Sequence, residues 1–380
     1  MDFNLSTEAT AFRQEIKDVI ALTYTPDRRS EHHRTGTFAC PALYQELARR
    51  GLLERIVPGL GKGDPIELWI LFNELEKASV PYDALSVILI VSAMVNRLGS
   101  DLQRERILPS LLSTKSYACL GYSEPGSGSD VASVSTRAVR DGDQWVINGS
   151  KMWTTMAHEA DWILLLTRTD PTLPKHRGLT MFVLPMDTPG ISVEPVWTIG
   201  SERTNATFFD DVRVGDEWVL GGVDKGWAAM GVGLTFERGV VGETNSGVAL
   251  LRHFRQWAEE TGAAHDPAIR QQMTQTAIDN EVAKLLTQRS AWMAASGELP
   301  LVEGAMTKLF ATVAYQKAAH WFQQRAGAAG LLRFGEDGAA AEGWIEYEGR
   351  HAPLCTIRGG TTEINRNIVA ERHLGLPKSV

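Results

Sequence analysis

The spacing of apolar residues changes twice along this 380-residue chain, and that double change restricts its architecture more than any other feature. From Leu5 to about Lys115 the period is helical. Ser6 stands as an N-cap, Glu8 falls in the first turn, and Phe12, Ile16 and Ile20 repeat every four residues. Further helices are predicted over 41–53 and 66–79. The apolar run 85–98 contains Val87, Ile88, Leu89, Ile90 and Val91 in succession, and its length without turn residues favours a buried helix over a strand.

Between about Ala118 and Leu220 the pattern shortens to runs of β-branched and aromatic residues at 144–147, 162–167, 179–184, 191–196 and 207–212, which read as strands. Turn-forming material separates them: Asp141-Gly142-Asp143, Asn148-Gly149, Asp187-Thr188-Pro189-Gly190 and Gly221-Gly222. This spacing suits a small barrel or sandwich. From Lys225 helical periodicity returns through 254–257, 277–295 and 302–327, as in a helix bundle, with a Gly- and Ala-rich loop over 327–343. The expected fold is α+β, mainly helical: an N-terminal helical domain over 1–117, a middle β domain over 118–222 and a C-terminal helical bundle over 223–380.

Charge and composition exclude several classes. A formal net charge of −8 without a run of Lys or Arg leaves no electrostatic footprint for nucleic acid. No window approaches the roughly 18 to 20 apolar residues of a membrane helix, and Met1-Asp2-Phe3-Asn4 starts no signal peptide, so a cytoplasmic location is expected. Cys40, Cys119 and Cys355 are odd in number and far apart, and the histidines show no His-x-x-x-His pair, so neither a disulfide framework nor a metal site is expected.

The densest cluster of chemistry-bearing residues is Tyr122-Ser123-Glu124-Pro125-Gly126-Ser127-Gly128-Ser129-Asp130, where the helical third meets the first strands. Glycines and hydroxyls in this arrangement let backbone approach a planar or phosphate-bearing ligand, although the same residues also make ordinary turns. The segment resembles the Thr-Glu-Pro-Gly-Ala-Gly-Ser-Asp signature of the acyl-CoA dehydrogenases, with Ser123 where Thr is usual. Three further blocks follow in that family's order. Asn148-Gly149-Ser150-Lys151-Met152-Trp153-Thr154-Thr155 resembles its Asn-Gly-x-Lys-x-Trp-Ile-Thr. Phe208-Phe209-Asp210-Asp211-Val212-Arg213-Val214 resembles its Phe-x-Asp-x-Val-Val segment. Ile357-Arg358-Gly359-Gly360-Thr361-Thr362-Glu363-Ile364-Asn365-Arg366-Asn367-Ile368, continued by Ala370-Glu371-Arg372-His373-Leu374-Gly375-Leu376-Pro377, resembles its closing motif.

The resemblance implies a helical domain, a β domain and a C-terminal four-helix bundle enclosing FAD. It gives cofactor contacts to Tyr122, Ser123, Gly128, Ser129, Trp153 and Thr155, and to Thr361 and Glu363 at the nucleotide portion; Ser129 and Arg238 would meet substrate. The implied reaction removes the α-proton of an acyl thioester, acyl-CoA or an acyl-carrier-protein thioester, while flavin N5 accepts the β-hydrogen as hydride and an electron-transfer flavoprotein takes the electrons. Many relatives place the base in Tyr-Glu-Gly-Thr. Here Arg358-Gly359-Gly360-Thr361 stands there, and glycine cannot accept a proton. A second arrangement puts Glu before Arg on the first long C-terminal helix, and Phe236-Glu237-Arg238-Gly239 fits it, so Glu237 becomes the expected base and the Gly359 N–H the donor to the thioester oxygen.

Independently of the resemblance, Gly231, Gly233, Gly239 and Gly242 surround Glu237; each costs a helix about 1 kcal/mol relative to alanine, so room for a ligand or tight packing is expected to explain them. The family's Arg-x-x-Phe-Gly and Gln-x-x-Gly-Gly-x-Gly segments are degraded, to Arg255-Gln256-Trp257-Ala258-Glu259-Glu260-Thr261-Gly262 and Gln323-Gln324-Arg325-Ala326-Gly327-Ala328-Ala329-Gly330. Such losses resemble actinobacterial steroid side-chain dehydrogenases, in which two related chains share one heterotetramer, so a homo- or hetero-oligomer, dimer or tetramer, is expected. The competing readings are a flavin monooxygenase or oxidase of the same fold and a non-catalytic partner subunit.

Overall fold

A computed structural model describes residues 3–28, 35–37, 39–240 and 246–378, with the side chains of 234–240 outside that description. Helices come first: α1 (Thr7–Thr23), α2 (Pro41–Arg49), α3 (Leu52–Ile56), α4 (Pro65–Lys77), α5 (Asp83–Leu98) and α6 (Asp101–Leu112). Strands follow: β1 (Ala118–Gly121), β2 (Arg137–Asp141), β3 (Gln144–Lys151), β4 (Trp162–Arg168), β5 (Leu179–Pro185), β6 (Ile191–Trp197), β7 (Arg203–Gly215) and β8 (Val219–Leu220). The chain then returns to helix with α7 (Gly226–Val240), α8 (Ser246–Glu260), α9 (Pro267–Ala295), α10 (Leu301–Ala326), α11 (Trp344–Cys355) and α12 (Thr362–Arg372). The expected α, β, α order and the buried helix over the 85–98 run are both present.

Local chemistry sets the helix ends. The Ser6 hydroxyl accepts from the Ala9 N–H at 3.1 Å, as its N-cap position predicts. Ser100 and Gln103 form a reciprocal capping box on α6, and the Gln103 amide also donates to the carbonyls of Glu217 and Val219 at 2.8 and 3.0 Å. The helix expected over 41–53 is instead two, because Gly51 takes the left-handed conformation at φ 70° between them.

Two compact units result, neither continuous in sequence. One comprises Met1–Thr35, Asp64–Pro81 and Glu237–Val380, the other Gly36–Gly63 and Tyr82–Phe236. The second contains an eight-stranded sheet in the order β6-β7-β3-β2-β4-β5-β8, with β1 parallel to β4. Its core includes Cys119, Ile147, Ile163, Leu165, Phe182, Leu184 and Val212, all fully buried, and the Trp145 ring meets Phe182 edge-on at 5.9 Å. Asp141-Gly142-Asp143 turns β2 into β3 as expected. Asn148-Gly149 does not turn: it lies inside β3, where the register with β7 shifts in a bulge. Gly149 adopts φ 149°, and a Cβ there would fall 2.6 Å from the Thr136 backbone, so the glycine answers to close strand approach, the other common reason for Gly in a strand.

In the first unit α8, α10 and α11 pack around Leu250, Phe254, Tyr315, Phe322 and Ile345; Phe254 and Phe322 stack at 4.0 Å. Helix α4 packs against α1, α8 and α9, which buries even Glu67, Asn73, Glu74 and Glu76. Among the described residues no helix is long and apolar enough to cross a membrane, and no group of three or more His, Cys, Asp or Glu could hold a metal ion.

Candidate functional site

The Gly/Ser loop after β1 is organised by a buried ion pair. Lys151, the last residue of β3, is fully buried and donates to the Glu124 carboxylate at 2.8 Å and to the Tyr122 carbonyl at 3.2 Å. Glu124 also accepts from the Ser135 N–H and hydroxyl at 2.7 and 2.6 Å and from the Thr136 N–H at 2.9 Å. Burial pushes the Glu124 carboxyl up, but Lys151 and these donors outweigh it and hold it at about 2. Burial brings the Lys151 ammonium down to about 8 against the attraction of Glu124. An ion pair this deep persists only when its remaining lone pairs are satisfied, as Glu124's are.

The Met152 N–H donates to the Ser123 carbonyl at 2.9 Å, which sets Tyr122 and Ser123 beside the segment that follows β3. There Trp153 adopts φ 62°, rare for a bulky side chain, and the residue is 58% exposed. Its successor is pinned to β7 by two bonds of 2.9 Å: the Thr154 N–H donates to the Asn205 carbonyl, and the Asn205 amide donates to the Thr154 carbonyl. The Thr155 hydroxyl lies 3.3 Å from that of Thr204. Strain of this kind survives only where its surroundings over-determine it, and it collects at ligand sites. Gly128 and Ser129 are exposed, and a Cβ on Gly128 would meet nothing within 4 Å, so open surface borders the loop.

Helix α7 carries Glu237 and Arg238, whose side chains lie outside the described residues. Of its glycines, Gly233 is explained by packing: a Cβ there would fall 2.6 Å from the Met94 sulfur, and that sulfur is in turn 4.0 Å from the Tyr122 hydroxyl. A Cβ on Gly231 would meet nothing within 4 Å.

In the other unit, Gly359 and Gly360 take φ 63° and 94° before α12. Lys308 donates to the Arg358 carbonyl, and the Asn365 amide donates to the carbonyls of Gly360 and Thr361 at 2.9 and 3.0 Å. The Thr361 hydroxyl caps α12, accepting from the Ile364 N–H at 3.2 Å, and Glu363 is exposed in the first turn, its carboxyl held below the usual range by the Thr362 hydroxyl.

The family model for the acyl-CoA dehydrogenase N-terminal domain matches residues 6–115, that for the middle domain 119–212 and that for the C-terminal domain 224–374. The chain belongs to the acyl-CoA dehydrogenase family. It is therefore an FAD-dependent oxidoreductase by class, and the match over 6–115 extends the likeness to the N-terminal third, where no motif was legible. The acyl-CoA dehydrogenase FadE29 of Mycobacterium tuberculosis is 31% identical over all of this chain and 99% of its own length. Among solved structures, the steroid ACAD Tcur3481-Tcur3483 superposes with a TM-score of 0.90 at 31% identity, and the ChsE4-ChsE5 complex from Mycobacterium tuberculosis with 0.89 at 29%, each over the full length of both chains. The likeness of this acyl-CoA dehydrogenase to a steroid ACAD stands on the first of those superpositions.

Within the β-containing unit, Tyr122, Ser123, Trp153 and Thr155 are thus brought together by β3 and its hydrogen bonds. Gly359, Thr361 and Glu363 gather at the start of α12. The buried Lys151–Glu124 pair had no assigned part in the sequence reading. Its signal was present, a Glu and a Lys inside two motif blocks, but only the strand pairing joins residues 27 positions apart.

Proposed function

We propose that this chain dehydrogenates the Cα–Cβ bond of an acyl thioester, acyl-CoA or its carrier-protein equivalent, with Glu237 taking the α-proton. One observation carries the choice of base: Gly359 and Gly360 occupy the closing-motif position with left-handed backbones, so no carboxylate stands there, whereas α7 bears Glu237 followed by Arg238. FAD, when bound, supplies the acceptor for the β-hydrogen as hydride.

The residues present fit such a group. Trp153 offers an exposed aromatic face on a strained backbone, Thr155 a half-buried hydroxyl, and Gly128 an approach free of side chain. On this reading Tyr122, Ser123, Gly128, Ser129, Trp153 and Thr155 hold the flavin, and Thr361 and Glu363 meet its nucleotide portion. Ser129 and Arg238 bind substrate, and the Gly359 N–H donates to the thioester oxygen as negative charge develops there. The electrons leave to an electron-transfer flavoprotein. The division into domains over 1–117, 118–222 and 223–380 belongs to the same reading.

Glu237→Gln keeps the shape of the side chain but not its basicity. Anaerobic flavin reduction by an acyl-CoA substrate is expected to slow by about 100- to 10,000-fold with FAD content unchanged. Reduction at the wild-type rate sinks the assignment of the base. A second arrangement is supported by two solved relatives whose names pair two chains, Tcur3481-Tcur3483 and ChsE4-ChsE5: this chain works in a hetero-oligomer with a related chain.

A further inference from the structure

Strand β4 ends on a side chain that the proposed reaction does not use. Arg168 donates from one terminal nitrogen to the carbonyls of Lys175 and Arg177 at 3.1 and 2.9 Å, and from the other to the carbonyl of Ala132 at 2.5 Å. Ala132 lies in the short turn Val131–Ser133 that directly follows the Gly/Ser loop, and Lys175 and Arg177 lie in the connection between β4 and β5. A second clasp joins the same two segments: the Lys175 ammonium donates to both Asp130 carboxylate oxygens at 2.9 and 2.8 Å.

That connection is itself held tightly. The Asp170 carboxylate accepts from the N–H and hydroxyl of Thr172 at 2.8 and 2.7 Å, and Gly178 takes φ 65° where a Cβ would fall 2.2 Å from the Asp170 carbonyl oxygen. Its other side meets the start of α7. The His176 and Trp227 rings lie 4.4 Å apart. The Thr169 hydroxyl donates to Asp224 at 2.6 Å, and the Asp224 N–H donates to the Thr180 hydroxyl at 2.9 Å. A Cβ on Gly226 would fall 2.8 Å from the Leu179 carbonyl oxygen, so the first residue of α7 lies directly on β5.

We propose that Arg168 is a positioning residue: it clamps the Gly/Ser loop to the β4–β5 connection and, through His176, sets the start of the helix on which Glu237 lies. The proposal rests on the assignments of Glu237 and of the Gly/Ser loop made above. A guanidinium suits this place because its rigid fork presents five donors and reaches carbonyls of two segments at once, which the point charge of a lysine does not reproduce.

The test is hydrogen exchange read by mass spectrometry on the FAD-loaded protein for the wild type, Arg168→Met, Arg168→Lys and His176→Ala. Loss of charged hydrogen bonds is expected to speed exchange about tenfold over 126–133 and 226–232 in Arg168→Met, and by less in Arg168→Lys. His176 is exposed, so His176→Ala leaves the sheet intact; it is expected to speed 226–232 and leave 126–133 unchanged. Flavin reduction at saturating acyl-CoA is expected to fall by up to about 100-fold in Arg168→Met while FAD content holds, as for a misplaced catalytic group rather than a lost cofactor. Wild-type exchange over 226–232 in both Arg168→Lys and His176→Ala overturns the proposal, even if Arg168→Met fails to fold. If no acyl-CoA reduces the wild-type flavin, the proposed function fails instead, and the exchange result still decides the clamp.

Discussion

At the scale of single residues, the Lys151–Glu124 pair is the most consequential contact outside the proposed chemistry. Replacing Lys151 by Met leaves a buried carboxylate without its cation, so a loss of about 3–5 kcal/mol is expected in denaturant unfolding of the FAD-loaded protein. The pair also predicts acid sensitivity. The Glu124 carboxyl sits at about 2 in the folded protein against an ordinary 4.5, so its contribution is complete above pH 4.5 and disappears as pH falls toward 2. Melting temperatures measured down that range should decline more steeply for the wild type than for Glu124→Gln, which starts lower and lacks the titrating group. Gly359 carries a different constraint: at φ 63°, Gly359→Ala is expected to cost about 1–2 kcal/mol, read from the same unfolding curves.

At the scale of elements, helix α7 shows how one sequence feature can have two physical origins. Its glycines suggested room beside the helix for a ligand, and at Gly233 the reason is instead contact with the fully buried Met94 of α5. Gly233→Ala is therefore expected to destabilise by about 1–3 kcal/mol through overpacking, and because Met94 also touches Tyr122, a shifted flavin absorption band should accompany it. An unshifted band with unchanged stability would mean that Met94 simply moves aside. Strand β3 makes the complementary point. Asn148-Gly149 has turn composition, yet the strand continues through it because β7 pairs on both sides of the bulge.

At the scale of the whole molecule, α1 and α4 join the C-terminal bundle helices in one compact unit, while α2, α3, α5 and α6 join the sheet in the other. No periodicity in the first third distinguishes these two groups of helices, because amphipathic spacing states that a face is buried and not against what. Subunit number follows a similar logic. Arg255, which begins the degraded counterpart of the Arg-x-x-Phe-Gly segment, is exposed and pairs with Glu259 at 2.8 Å within its own helix. If a related chain completes the site, the chain purified alone should carry well under one FAD per polypeptide, and co-expression with that chain should restore it. About one FAD per chain in a homo-oligomer on gel filtration would instead establish a self-sufficient enzyme.

The sequence by itself determined the order of helical and β segments, since periods of 3.6 and 2 are written directly in the spacing of apolar residues. It also determined the family, through four motif blocks in one order, and the lack of a carboxylate at Gly359. Tertiary structure alone decided what depends on distant segments meeting. Glu124 finds Lys151 only because strand pairing returns the chain past the Gly/Ser loop, and Arg168 finds Ala132, Lys175 and Arg177 only when β4 ends between their loops. The left-handed Trp153, likewise, has no local signal, because a bulky residue avoids that conformation unless long-range contacts such as those of Asn205 hold its neighbour in place.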